Sequence, residues 1–589
     1  MPKLFAAALM AAGMLTAGSA SAQPVAGPAA PPPPARPYRP VTDAMLRTPD
    51  PADWLMWRRT LDSWGYSPLD QIKTDNVKGL QLVWTRSLPN GFYEGTPLVH
   101  DGVMYIPEAR DRIEAVDAAT GDPIWHYERK YPKDFGGGAG AKRNLAIFQN
   151  LIISSSGDGF VFAIDARTGQ PVWESQVTDY RTQSANTSSG PLIVGNKVVS
   201  GRNCANTAGP DACVLVANDA LTGKELWRTR TMPRPGEPGD ETWGGVPDAK
   251  RLQVGTWMPP SYDPELNLIY VGTSVTAPTP KFLLAGNDKT YLYSTSTLAL
   301  DPETGKIVWH YQHIVDHWDF DHPFERILVD TEVAPDPKAV AWINPRIRPG
   351  ERRKVLTGIP GKTGIIYTLD RGTGEFLWAT PTVKQNVVSS IDGATGVVTG
   401  NPAAVFTHPD EALSICPSFA GGKNWQAGAY SPRTGLMYMP LQNLCSVVTS
   451  AGPKTGEGQI GMAINYEAVL APGHTEVGTI HAISVATGRT AWIHDQRTGA
   501  MSLAATGGGL VFGGDAVGRF RAFDDRSGKT LWEVNLSSPV GGFPITYAVG
   551  GKQYVAVGVG FSPEAMALTR MTPEFTAQSS DAIYVFALP

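Results

Sequence analysis

The sequence predicts an all-β fold, an eight-bladed β-propeller, and three observations predict it. The first is a repeat. AVDAATGDPIW (115–125), AIDARTGQPVW (163–173), ANDALTGKELW (217–227), ALDPETGKIVW (299–309), TLDRGTGEFLW (368–378), AISVATGRTAW (482–492) and AFDDRSGKTLW (522–532) follow one pattern. Each reads as an apolar pair, a turn of the D-x-x-[TS]-G type, and an alternating strand that ends in Trp. The second is composition: 63 glycines and 49 prolines in 589 residues, about a fifth of the chain, call for many tight turns. The third is that further strand-like runs precede the repeats, among them LIISSSGDGFVF (151–162) and NLIYVGTS (267–274). Four short strands per unit, repeated radially, make a propeller.

Each part of the repeat has a physical role. Asp at the start of the turn can accept the following backbone N–H groups, and Gly supplies the positive φ that such a turn needs. The terminal Trp, at a fixed offset, can lie flat between neighbouring units as a large apolar contact. Seven units are explicit. An eighth is expected from VWTRSL (83–88) and GTPLVHDGVMYI (95–106), closed by AIYVFALP (582–589) pairing with N-terminal strands. The tryptophans stand 40 to 114 residues apart, so several blades carry long insertions, for example 228–254 and 379–415. These are expected to cover one face of the disc and shape a site there.

Residues 1–22 read as a secretory leader: one positive charge (Lys3), an apolar run from Leu4 to about Leu15, and small residues ending Ala20-Ser21-Ala22. Cleavage is expected after Ala22, which places the mature chain in the periplasm. Residues 23–40 are too proline-rich for a core and read as an extended tail, leaving 41–589 for the propeller. Nothing later approaches 18 uninterrupted apolar residues, so no membrane span is expected. Net charge is −5 with pI 6.1 and no Lys/Arg cluster, which argues against a nucleic-acid partner. The 4 cysteines are even in number, and in an exported chain two disulfides are consistent with that. Cys204 and Cys213 bracket a Gly/Pro-containing loop, and Cys416 and Cys445 could close a longer one.

The stretch HWDFDHP (317–323) concentrates chemistry. If it runs extended, Asp319 and Asp321 share a face with His317 and Pro323, while Trp318 and Phe320 point into packing on the other side. Two carboxylates on one rigid face repel when both are ionised, and a shared proton or a bound cation relieves this. The flanking aromatic residues argue against a solvated loop.

The repeat set, the leader and HWDFDHP together resemble the pyrroloquinoline quinone (PQQ)-dependent alcohol dehydrogenases, the eight-bladed quinoprotein family. The resemblance covers nearly all of the chain after residue 40. It rests also on WRRTLDSWGYSPLDQI (57–72), GTWMPPSYDPELNLIYVGT (255–273), TGIIYTLDRGTGEFLW (363–378), CPSFAGGKNWQAGAYSP (416–432) and GGFPITYAVGGKQYVAVGVG (541–560).

The resemblance implies the following roles. Asp319 matches the family's catalytic aspartate, the general base on the alcohol hydroxyl. Trp257 matches the tryptophan that floors the planar cofactor, and Arg143, in AKRNLAIF, an arginine at the quinone's polar edge. Lys362 matches a basic residue beside the reactive carbonyl oxygens. Glu94 and Ser188 match contacts to the cofactor's carboxylates and edge, and Asn424 with Trp425 a further pair in the pocket. The residue types suit the chemistry on their own terms. A flat tricarboxylate needs cations and amide donors at its rim and an apolar face beneath it. Alcohol oxidation needs a base and a Lewis acid.

The sequence departs from the family pattern at three places. Gly137 and Gly138 stand where the family has two adjacent cysteines that form a disulfide over the cofactor, so a different roof is expected. The family's metal-binding glutamate falls near Ala208 and its metal-binding asparagine near Val275, although loop slippage could bring Asn203, Asn206 or Thr276 into play. Asp321 occupies the position of an extra aspartate found in lanthanide-using members. The expectation is a metal held by Asp319 and Asp321, Ca²⁺ ahead of a lanthanide.

The expected function is therefore periplasmic oxidation of an alcohol, bulky or secondary, such as a terpenoid or mycotoxin hydroxyl. No C-x-x-C-H occurs, so no c-type haem or fused cytochrome is expected on this chain, and electrons would leave by a separate soluble cytochrome c. The rival is a non-catalytic periplasmic propeller scaffold without the cofactor, or a hydrolase or lyase on the same fold. A scaffold would not need Trp257, Arg143, Lys362, Asn424 and Asp319 at once.

Overall fold

The computed structural model describes residues 38–137, 140–348, 350–451, 462–575 and 580–589. Arg39–Pro589 form one compact unit. The leader and most of the proline-rich tail lie outside the described residues, as does Gly138.

Among the described residues, eight sheets each contain four antiparallel strands in sequential order, which are the blades of the propeller. The first comprises Leu98–His100, Val103–Glu108, Arg112–Asp117 and Pro123–Glu128. The eighth comprises Ile545–Val549, Lys552–Val559 and Ala582–Ala587, and its outer strand is Gln81–Ser87 from the other end of the unit. Thr85 lies opposite Tyr584, which in turn lies opposite Val557. The expected closure is therefore present, with one correction. VWTRSL and GTPLVHDGVMYI do not share a blade: the former closes the eighth and the latter opens the first. A turn motif is missing before Trp84 because no turn joins the strands that meet there.

Inner strands such as Leu151–Ser155 are buried along their whole length, while outer strands such as Pro171–Gln176 alternate in exposure. The repeat explains how the blades hold together. A Cβ added at Gly121, Gly169, Gly223, Gly305, Gly374 or Gly528 would strike the indole of Trp84, Trp125, Trp173, Trp227, Trp309 or Trp492 respectively. Each indole thus lies on the turn of the next blade, where only glycine permits both the positive φ and the close approach. Five also donate Nε1–H to that blade: Trp84 to Ala118 O (3.2 Å), Trp125 to Ala166 O (3.0 Å), Trp173 to Ala220 O (3.3 Å), Trp227 to Pro302 O (2.8 Å) and Trp492 to Asp525 O (3.1 Å). At the closing junction Trp532 packs edge-on against Phe586 instead, with ring centroids 5.2 Å apart.

Antiparallel order sends the connections alternately to the two ends of each blade. The turns between first and second strands and between third and fourth are short, 334–350 excepted. The long connections fall at the other end, among them 231–260, 313–326, 382–428 and 443–477. These insertions carry structure of their own. Leu252–Gln253 pairs with Thr276–Ala277, and Leu444–Ser450 pairs with both Ala412–Ile415 and Ile464–Leu470. Both expected disulfides are formed, Cys204–Cys213 and Cys416–Cys445.

Candidate active site

The HWDFDHP segment does not run extended. It bends around the carboxylate of Asp316, which accepts the N–H groups of Trp318 (3.2 Å), Asp319 (3.1 Å) and Phe320 (2.6 Å). Asp319 takes φ 72°, the left-handed region that Asp enters more readily than most residues. Trp318 and Phe320 still go into the core, and Trp318 Nε1–H reaches Ala404 O at 2.7 Å. His317 does not join the aspartates; it is buried against Trp318, with ring centroids 5.3 Å apart.

Asp319 and Asp321 converge on one atom. Lys362 Nζ lies 3.1 Å from Asp319 Oδ2 and 3.3 Å from Asp321 Oδ2. The backbone fixes the triad, since Lys362 N–H donates to Asp321 O at 3.0 Å and Gly422 N–H to Lys362 O at 2.9 Å. Gly361 is needed beside it, because a Cβ there would run into the His322 ring. Burial drives the Asp319 carboxyl above the usual carboxylate range, against the opposing pull of Lys362, and Asp321 adds to the rise. Burial works to lower the Lys362 ammonium, yet the two aspartates hold it above its ordinary value.

A second group lies around Arg143. Its guanidinium pairs with Glu94 and sits over two indoles, 5.0 Å from the Trp257 ring centroid and 5.5 Å from that of Trp425. Arg143 N–H donates to Ser188 O at 2.9 Å, and Thr96 N–H to Arg143 O at 2.8 Å. Ser188 Oγ reaches Trp257 O at 3.4 Å, but Ser189, which the sequence reading passed over, makes the shorter bond at 2.8 Å. Phe324 meets Trp257 edge-on at 5.5 Å. Asn424 turns into its own loop: it accepts Trp425 N–H at 2.8 Å and donates to Ala420 O at 3.2 Å. Burial pushes the Glu94 carboxyl up to about 8, with Arg143 opposing and Glu564 reinforcing.

Two features bear on what these groups could hold. Arg143 Nε and Nη1 are buried without a hydrogen-bond partner among the described residues. A cation with unused donors between two indole faces fits a flat polyanion such as PQQ. The metal position is leaner. Ala208 and Val275 are buried where the family pattern has ligands, and Val275 N–H instead donates to Asp321 Oδ1 at 3.2 Å. The Thr276 hydroxyl is directed to Leu252 O at 2.9 Å. Among the described residues no group of three or more His, Cys, Asp or Glu side chains could hold an ion. Two carboxylates around one cationic point are what this chain offers to a hard cation, and that donor chemistry suits Ca²⁺ or a lanthanide. Gly137 rests against the Phe135 ring, which lies between Tyr131 (4.8 Å) and Tyr180 (5.0 Å).

Besides Ser189, the residues Asp316, Tyr466 and Glu564 near the site were not singled out in the sequence. A D-x-x turn signal marks Asp316 and an S-P-E helix start marks Glu564, but neither signal says where the segment docks.

The chain matches the family model described as "PQQ: Glucose/ethanol/alcohol dehydrogenase, beta-propeller domain" over residues 54–399 and 474–555. It is 32% identical over 549 residues to the quinohemoprotein alcohol dehydrogenase ADH IIB of Pseudomonas putida, covering 88% of this chain and 75% of that one. It is 29% identical to the quinoprotein alcohol dehydrogenase PedH of Pseudomonas putida, covering 84% of each. Among solved structures, a europium-containing methanol dehydrogenase superposes with TM-score 0.81 at 27% identity, over 92% of this chain and 99% of that one. The fold and the sequence together place this chain in the PQQ-dependent alcohol dehydrogenase family, oxidoreductases that act on CH–OH groups.

Proposed function

We propose that this chain oxidises a bulky or secondary alcohol to the ketone or aldehyde in the periplasm, with Asp319 as base. The observation that carries the reading is the convergence of Asp319 and Lys362 at 3.1 Å, alongside an Arg143 guanidinium that sits over the Trp257 and Trp425 indoles. PQQ, when bound, supplies the acceptor for the hydrogen and two electrons that leave the carbinol carbon. Arg143, Trp257, Trp425, Ser188 and Glu94 would hold it, with Asn424 shaping their loop. With its pKa near 8, Glu94 is mostly protonated at neutral pH and can donate to an anion rather than repel it. Asp319 Oδ2 takes the hydroxyl proton. Lys362 Nζ stabilises negative charge developing beside it, in surroundings where burial strengthens the effect. Asp319 and Asp321 would bind one Ca²⁺ or lanthanide ion, a reading supported by the acidic pair and by the europium-containing relative.

The proposed chain is exported and loses its leader after Ala22, and its electrons pass to a soluble cytochrome c. Among the described residues no helix is long and apolar enough to cross a membrane. The test is dye-linked alcohol oxidation by the purified protein with PQQ, run with Ca²⁺, with La³⁺ and with chelator. Activity that needs PQQ and one of the cations supports the reading. Failure of PQQ to bind under all three conditions would remove it.

A further inference from the structure

Two insertions meet beside the site through Phe419 and Tyr466, side chains that take no part in the chemistry proposed above. Loop 416–428, which carries Asn424, is tied by Cys416–Cys445 to the hairpin of Leu444–Ser450 and Ile464–Leu470. In that hairpin Cys445 faces Val469 and Val448 faces Tyr466. Phe419 of the loop donates its N–H to Ser446 Oγ at 3.4 Å. Its ring stacks on Tyr466, with centroids 3.6 Å apart and planes 23° from parallel. Tyr466 nevertheless remains 43% exposed. An aromatic pair that is anchored on one side and open on the other is a rigid, flat binding face.

Its position gives that face a purpose. The Tyr466 phenol lies in the field of Asp319, Lys362 and Glu564. Glu564 stands in the first turn of helix Pro563–Thr569, which Ser562 caps by accepting Ala565 N–H at 3.1 Å. The inner side of that helix, Ala565 and Leu568, packs in one apolar cluster with Trp257 and Trp425, the indoles under the Arg143 guanidinium. Glu564 forms no hydrogen bond or ion pair with another described residue, yet its charge acts on Glu94 and Lys362 as well as on Tyr466.

We infer that the Phe419–Tyr466 face, together with Glu564, is the specificity subsite for the alcohol. It takes the ring of a cyclic alcohol flat against Tyr466, and the Glu564 carboxylate accepts a hydrogen bond from a second hydroxyl on that ring. The substrate class is a cyclic diol or polyol, presented to Asp319 through one of its secondary hydroxyls. This rests on the dehydrogenase reading above and narrows it. A polar acceptor that hydrogen-bonds a hydroxyl discriminates strongly against analogues that lack it, while ring contact alone discriminates by size.

The test compares three secondary alcohols, cyclohexanol, trans-1,2-cyclohexanediol and 2-propanol, on the PQQ-loaded protein and its variants. Saturation-transfer NMR reports ring binding independently of turnover. Tyr466→Ala is expected to lower the ratio of kcat/KM for cyclohexanol over 2-propanol by about tenfold or more and to abolish the ring's saturation-transfer signal. Tyr466→Phe, which keeps the ring, should keep the ratio. Glu564→Gln should lower the ratio for the diol over cyclohexanol by about tenfold, mostly through KM. Unchanged ratios in Tyr466→Ala and Glu564→Gln, with the wild type turning over, would overturn the subsite and leave the dehydrogenase reading standing. Loss of the ring signal in Tyr466→Ala, with no turnover of any alcohol by the wild type, would uphold the subsite and overturn the dehydrogenase reading instead.

Discussion

Asp316 holds Asp319 by its backbone: the Asp316 carboxylate accepts the Asp319 N–H at 3.1 Å while Asp319 sits at φ 72°. The carboxylate proposed as the base is thus positioned by a carboxylate that has no proposed part in the chemistry. Positive φ at a non-glycine residue persists only where the surroundings over-determine it, and three N–H groups on Asp316 do so. Asp316→Ala should therefore release the bend. Because an ångström of misplacement is enough to cost about 100-fold, kcat is expected to fall by that order. Loss of the buried bonds should also remove about 1–3 kcal/mol of stability. Steady-state kinetics and thermal melts read the two effects separately, and a variant with wild-type kcat would show that the bend does not position the base.

Replacement of the proposed base itself should behave differently. Asp319→Asn keeps the shape and can still face Lys362, so the quinone absorbance of bound PQQ should survive while turnover falls by about 10²–10⁴-fold. The measurement is a titration with PQQ followed by dye reduction on the same sample. Turnover like that of the wild type would take Asp319 out of the mechanism.

Glu94 makes a prediction in pH. Its carboxyl is raised from 4.5 to about 8 in the fold, so between those values the folded protein binds more protons than the unfolded chain. The stability this group contributes is fully present below 4.5 and is lost as pH rises through about 8. In the protein without added cofactor, the melting midpoint of Glu94→Gln should fall less steeply than that of the wild type between about pH 5 and 8. Equal slopes would mean that Glu94 is ionised across the whole range.

The blade junctions predict a stability effect far from the site. Trp378 is fully buried, in one apolar cluster with Ile483 and Val485 of the next blade, and Gly488 of that blade's turn approaches its ring. Trp378→Ala should destabilise by about 3–5 kcal/mol, the usual range for a large buried aromatic side chain. Chemical denaturation would measure it. A loss below about 1 kcal/mol would show that the neighbouring turn collapses into the space.

The repeated contacts were legible because every blade must make the same one. The pairing of Trp309 with Gly374 and of Trp173 with Gly223 leaves the same mark in the sequence. The first and eighth blades were merged because Trp84 has no D-x-x-T-G turn before it: the strand it follows in space, Ala582–Ala587, is not the one it follows in the chain. At the site, Asp319 and Asp321 are legible as a D-x-D pair and Lys362 only through the family resemblance, while the bend at Asp316 that brings the three together leaves no such mark. Tyr466 and Glu564 were not readable at all. Their place depends on how two insertions pack against tryptophans from other blades, and no local pattern records that.

The strand Gln81–Ser87 finds its partner in Ala582–Ala587, at the far end of the same unit. Some 500 residues separate them, so this pairing is among the costliest in chain entropy and is expected to form late. Glu94 follows the first of these strands, and helix Pro563–Thr569 precedes the second. Glu94 and the helix that carries Glu564 thus hang on the same seam. A nascent or truncated chain that stops short of residue 582 would carry the acids and the tryptophans yet leave them unjoined. On the proposed reading, retention of the quinone would then report whether the ring of blades has closed.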